Sequence, residues 1–206
     1  MKGNKQNKVI TRSAFVRSTT PEMIDKRQVE FVLSSEAVDS YGTVFKMSGW
    51  NFNRYIKNPV VCFQHRWGSD DPDNIIGTSS IRVEEGKLIG VVTFEDPDIN
   101  PKAEKIFRKV QSGTLKMASV GARVLRAHFG DSEQGEDQDV LYFDEQELIE
   151  WSIVAVGSNP DAHKRNAQSV EEIRSSIVNE IEVDVNDVKV NRSVQEAQLI
   201  VNKNRI

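Results

Sequence analysis

Apolar and polar residues alternate with period two through most of the chain between Val9 and Val156, and this pattern limits the fold more than any other feature. Candidate strands run from Val9 to Val16, Val29 to Val38, Pro59 to Gln64, Thr78 to Val83, Leu88 to Phe94, Leu115 to Leu125, Val140 to Phe143 and Leu148 to Val156. The stretch from Glu84 to Lys87, with Gly86 inside it, reads as the turn of a hairpin. One internal helix interrupts the pattern. Asn100 is placed to cap it, Pro101 suits its first turn, and Ala103, Ile106, Phe107 and Val110 form a single stripe before Gly113 ends it. A second helix is expected from Ser169, which forms a capping box with Glu172, with Val170, Ile173, Ile177 and Ile181 as its apolar face. So many short strands expose many edges unless the sheet curls or closes. The expected class is therefore α+β: an antiparallel β-barrel, or a strongly curled sheet, flanked by helices.

Composition narrows the function classes. Of 206 residues, 27 are Lys or Arg and 31 are Asp or Glu, a net charge of -4 that gives no positive excess for binding nucleic acid. Hydrophobic residues make up 38%, enough for one core, and no apolar run approaches the roughly 18 residues of a membrane span. The single cysteine, Cys62, excludes an internal disulfide, and with only His65, His128 and His163 there is no Cys/His set at metal-ligand spacing. No glycine-rich phosphate loop is present. Neither cofactor nor metal is expected, and the environment expected is a reducing cytoplasm.

Charge is unevenly spread. Lys2, Lys5, Lys8, Arg12 and Arg17 precede the first acid, Glu22, so residues 1–21 read as a basic, solubilising arm. Eight acids fall between Asp131 and Glu147 without one Lys or Arg, which reads as an exposed hairpin tip or mobile loop. The domain division expected is a basic arm over 1–21, a barrel domain over 22–163, and a helix with a polar tail over 164–206.

Three polar residues lie on otherwise apolar candidate strands: His65, Ser119 and Glu150. A serine hydroxyl needs a base before it attacks, imidazole is the side chain suited to that near neutrality, and a third group must fix its tautomer. Gly121, two positions from Ser119, leaves space on the same face. Each residue also has a plainer reading. His65 could be a strand-end histidine bonded to a loop, Ser119 a small core filler, and Glu150 the ion-pair partner of Arg123.

The order of motifs resembles the tailed-phage prohead (head maturation) serine proteases, relatives of the herpesvirus assemblin proteases. The resemblance rests on Asp39, Gly42 and Val44 followed by Gly49 and Trp50; on Asn58, Pro59, Val60 and Val61 leading to Gln64 and His65; and on the Ile75, Ile76, Gly77 step. It continues through the helix end at Gly113 into Met117, Ser119 and Gly121, and closes with Leu148, Glu150, Ser152 and Val154 ahead of Asn159, Pro160 and Ala162. It covers roughly Val29 to Ala162. Trp151 stands where a small apolar residue is commoner, and Gly157 and Ser158 replace the usual Pro-Ala.

The resemblance implies Ser119 as nucleophile, His65 as general base and then acid, and Glu150 as the orienting acid. Assemblins use a second histidine in the third place, which keeps His128 as another candidate. It also implies an antiparallel barrel and cleavage of the scaffold, or of the scaffold-like part of the major capsid protein, and finally of the protease itself. The location implied is the immature prohead in the bacterial host cytoplasm. A homo-oligomer is expected, with the tail over 164–206 serving targeting or removed by self-cleavage. Two other functions fit the same residues: a catalytically idle, protease-like assembly partner, and a small-substrate serine esterase.

Overall fold

The structure is a computed structural model and describes residues 9–39, 41–156 and 182–183. Its strands are β1 (Val9–Ser18), β2 (Gln28–Ser35), β3 (Thr43–Phe45), β4 (Trp50–Asn51), β5 (Val60–Phe63), β6 (Ile75–Glu84), β7 (Lys87–Phe94), β8 (Met117–Phe129), β9 (Leu141–Val154) and β10 (Glu182–Val183). The helices are α1 (Pro21–Asp25) and α2 (Pro101–Gln111).

Seven of the strands close on themselves in the order β8, β1, β2, β7, β6, β5, β9 and back to β8. Ring closure imposes a parity rule. Each antiparallel junction reverses strand direction, so a closed ring must contain an even number of them, and seven strands cannot all be antiparallel. Six junctions here are antiparallel and one, between β5 and β9, is parallel. The expected antiparallel barrel is thus a mixed one, and three short strands outside the ring also pair in parallel, β3 and β4 with β9 and β10 with β8.

The interior is filled from all sides. Trp151 of β9 is fully buried and its ring lies 5.7 Å from that of Phe31 on β2. Its indole N–H donates to Ser79 Oγ at 2.9 Å, which also meets the Tyr55 hydroxyl at 2.7 Å, so the one polar atom of this large side chain is satisfied. A Cβ on Gly90 would come within 2.7 Å of Leu33 Cδ1 and 3.3 Å of Trp151 Cζ2, so the absence of a side chain there is what admits Leu33 and leaves room for the edge of the tryptophan.

Helix α2 begins where expected. Asn100 Oδ1 accepts from Ala103 N–H at 2.9 Å, while its amide donates to the carbonyls of Asp73 and Ile75, tying the helix start to the first residue of β6 and the turn before it. Ala103, Ile106, Phe107 and Val110 are buried, with Phe107 5.0 Å from Phe94 across the contact. Each large side chain in that stripe contributes about 1.5–3 kcal/mol by burial.

Three expectations change. The strand expected at Val9 to Val16 is present as β1, but it belongs to the barrel rather than to a separate arm over 1–21: it pairs with β8 from Val9 opposite Arg123 to Phe15 opposite Met117, and Arg17 is met by Glu84 and Glu30. The separate strands expected at Val140 and Leu148 are one strand, β9. Its acids are paired across the hairpin, Glu145 with Arg126 at 3.1 Å, Glu147 with Arg123 at 3.3 Å, and Asp144 with His128 at 2.7 Å. The acidic excursion is therefore loop only near its tip. The helix expected from Ser169 lies outside the described residues, as does the segment with Asn159, Pro160 and Ala162. Among the described residues, no helix is long and apolar enough to cross a membrane, and no group of three His, Cys, Asp or Glu is arranged to hold a metal ion.

Candidate active site

Strands β5, β9 and β8 are neighbours in the barrel wall; Glu150 lies on β9, Ser119 on β8, and His65 just after the end of β5. On β8, Ala118 and Val120 belong to the buried core, so alternation turns Ser119 and Gly121 to the opposite face. On β9, Trp151 and Ile153 belong to the core, which turns Glu150 and Ser152 the same way as Ser119. The register confirms the match, with Ser119 opposite Ser152 and Gly121 opposite Glu150.

A bulge is what makes this work. Gly121 pairs with Glu150 but the next residue, Ala122, pairs with Leu148, leaving Ile149 as the extra residue. Simple alternation from the sequence puts Leu148 and Glu150 on one face. The bulge separates them, so Leu148 is buried in the core while Glu150 joins the serines. Gly121 opposite Glu150 leaves clear the position about 5 Å away that a side chain would fill.

His65 arrives from β5, whose Cys62 pairs with Ser152 and Phe63 with Ile153. Immediately after the strand, Gln64 and His65 both adopt the left-handed conformation, with φ of 58° and 57°. Each costs on the order of 1–3 kcal/mol for a residue with a side chain, and such pairs persist only when surrounding contacts enforce them. Gln64 N–H donates to the Ile153 carbonyl at 3.0 Å and His65 N–H to Ser152 Oγ at 3.1 Å. The double turn folds the imidazole back over β9, where Nδ1 lies 2.6 Å from Glu150 Oε1.

Glu150 is 1% exposed, and a buried carboxylate must be hydrogen-bonded. Both its oxygens are used: Oε1 with His65, and Oε2 as acceptor from the Ser152 hydroxyl at 2.7 Å. The alternative partner Arg123 is engaged elsewhere, with Glu147. Ser119 is 3% exposed and lies opposite Ser152, one strand from the acid and two from the histidine's strand. Because Nδ1 of His65 is committed to Glu150, Nε2 is the nitrogen left to exchange a proton. Cys62 shares the face, and its thiol is pushed up to about 12, by burial first and then by the Glu150 charge. It is inert at neutral pH.

His128 is elsewhere. It lies nine positions along β8 from Ser119, about 30 Å at strand rise, with Nδ1 2.7 Å from Asp144 and Nε2 2.8 Å from Glu136. Lys46 bridges the same two carboxylates, and this cluster closes the β8–β9 hairpin. Asp39, part of the first motif, is a turn former: it accepts from the N–H groups of Tyr41 and Thr43 and from the Thr43 hydroxyl. Ser152, which the sequence places in the closing motif, is given no role there; two positions from Glu150 with no bulge between them, it shares that residue's face.

Comparison with known proteins bears out the family resemblance. Residues 27–176 match the family described as Caudovirus prohead serine protease. A curated relative, the prohead protease of Escherichia phage T5, is 29% identical over 142 residues, covering 64% of this chain and 59% of that protein. The chain thus spans little more than half of that relative. The solved capsid assembly protease of bacteriophage T4 superposes with a TM-score of 0.48 at 11% identity, over 71% of this chain and 97% of that one. With the family match running through three quarters of its length, including all of β2 to β9, the chain belongs to the caudovirus prohead serine protease family.

Proposed function

We propose that this chain is a serine endopeptidase of capsid maturation, with Ser119 as nucleophile, His65 as general base and then acid, and Glu150 as the acid that orients the imidazole. The observation that carries the reading is the 2.6 Å contact between His65 Nδ1 and a carboxylate 1% exposed, on the strand next to Ser119. A buried carboxylate on Nδ1 selects the tautomer with a lone pair on Nε2 and stabilises the imidazolium that forms. Nε2 takes the Ser119 proton as Oγ attacks the substrate carbonyl. The tetrahedral intermediate collapses to a serine ester as the same proton passes to the departing amine, and water then hydrolyses the ester by the reverse path. The substrates are the capsid scaffold, or the scaffold-like part of the major capsid protein, and the protease itself, inside the immature prohead of the host cell. Family membership supports this setting.

The intact mass of the purified chain, followed over days beside a Ser119→Ala variant, tests the reading. Time-dependent loss of a terminal piece only in the parent, with a fluorophosphonate ester adding to Ser119, is the expected result. Equal processing of both chains, or labelling at another residue, overturns it.

A further inference from the structure

Ser152 makes two hydrogen bonds whose directions are fixed by chemistry. The His65 backbone N–H only donates, so at 3.1 Å Ser152 Oγ is the acceptor. Its single proton then goes to Glu150 Oε2 at 2.7 Å. Together with the contact between Glu150 Oε1 and His65 Nδ1, these bonds form a closed circuit: imidazole to carboxylate, carboxylate to hydroxyl, hydroxyl back to the backbone of the same histidine.

Each link has a consequence. The carboxylate has both oxygens occupied and cannot rotate away from the imidazole. The His65 backbone, in a left-handed conformation at φ 57°, is held by the hydroxyl at the residue where strain is stored. Ser152 itself is 0% exposed with its proton engaged, so although it faces Ser119 across the strands it does not compete as a nucleophile.

We propose that Ser152 is a positioning residue of this site: its hydroxyl sets both the angle of the Glu150 carboxylate and the backbone turn that presents the His65 ring. The proposal rests on the roles given above to Ser119, His65 and Glu150. It touches no reacting atom, so its loss should reduce activation of the nucleophile and leave encounter with the ligand alone. A misplacement on the order of 1 Å costs about 10²-fold in rate.

The test is saturable labelling of the full chain by a fluorophosphonate ester, which separates the maximal labelling rate from the half-saturating concentration. For Ser152→Ala the expected result is a maximal rate down about 10²-fold with half-saturation within twofold of the parent. A parent-like rate, or an effect confined to half-saturation, overturns the proposal. Ser152→Cys keeps the volume with a much weaker donor, and is read the same way if the alanine chain is recovered unfolded.

Proton NMR of the chain with 15N-labelled histidine gives a reading independent of turnover. The Nδ1–H resonance of His65, bonded to a carboxylate, should stand far downfield in the parent and move or broaden in Ser152→Ala. An unmoved resonance overturns the proposal. If the parent is not labelled at Ser119, the assignment of the nucleophile has failed, and the NMR result alone decides the role of Ser152.

Discussion

Replacing Glu150 by glutamine tests the orienting acid with little change of shape. The carboxylate lies 2.6 Å from His65 Nδ1 and is shielded from water at 1% exposure. When the imidazole takes a proton, the two charges are centred about 4 Å apart, and at an effective dielectric of about 20 their attraction is about 4 kcal/mol. At about 1.36 kcal/mol per tenfold in rate, removing it slows the step that forms the imidazolium roughly 10³-fold. The amide also pits its N–H₂ against either the Nδ1–H or the Ser152 hydroxyl, which disfavours the working tautomer and adds to the loss. Stability should change little, because the amide fills the same volume and an uncharged group is easier to bury. The assay is the maximal rate of fluorophosphonate labelling at Ser119, run beside a thermal melt. A variant that melts within a few degrees of the parent and labels roughly 10³-fold more slowly bears the argument out. A variant that labels at the parent rate but melts much lower would make Glu150 a structural residue and refute it.

Two further outcomes follow from the charged and nucleophilic groups nearby. Burial alone would push the Glu136 carboxyl up, but hydrogen bonds from His128 and Lys46 outweigh it and hold the group below its ordinary value. Its contribution to stability is therefore present above the ordinary carboxylate range and is lost as pH falls through the lowered folded value. Glu136→Gln should melt a few degrees below the parent at pH 7, with the gap shrinking as pH falls below the ordinary carboxylate range, and a gap that does not shrink in acid counts against the cluster. Cys62, with its thiol pushed up to about 12 and no exposed surface, should resist N-ethylmaleimide at pH 8 in the folded chain, leaving Ser119 labelling intact. Rapid modification with loss of labelling would show that the site face opens to solvent.

What the sequence makes legible is the local alternation and its punctuation. Asn100, Pro101 and Gly113 bound a helix because capping and termination act within a few residues. His65, Ser119 and Glu150 stand out because polar groups interrupt apolar strands. The face that Glu150 occupies is another matter, since it depends on the bulge at Ile149, and no glycine or proline on β9 itself marks it. Equally hidden is the left-handed pair Gln64 and His65, whose conformation is enforced by bonds to β9 rather than by residue type. The acids of β9 read as solvated because their partners, Arg123, Arg126 and His128, lie on the other arm of the hairpin. The parallel junction follows from counting strands in a closed ring, which needs the pairing of β8 with β9 that local pattern does not contain.

That parallel junction bears on how such a protein can diversify. Because β5 and β9 run the same way, the chain leaves both strands at the same rim of the barrel, β5 into the 66–74 connection after His65 and β9 into Ala155 and Val156. An antiparallel neighbour would have sent one of them to the far end. The 66–74 connection therefore borders the histidine at this rim, while the paired stretches that hold Ser119, Glu150 and Ser152 lie in the barrel wall. Changes of length in residues 66–71 at this rim alter what lies beside His65 without shifting a strand register, so the surroundings of the candidate site can vary over a barrel wall that stays fixed.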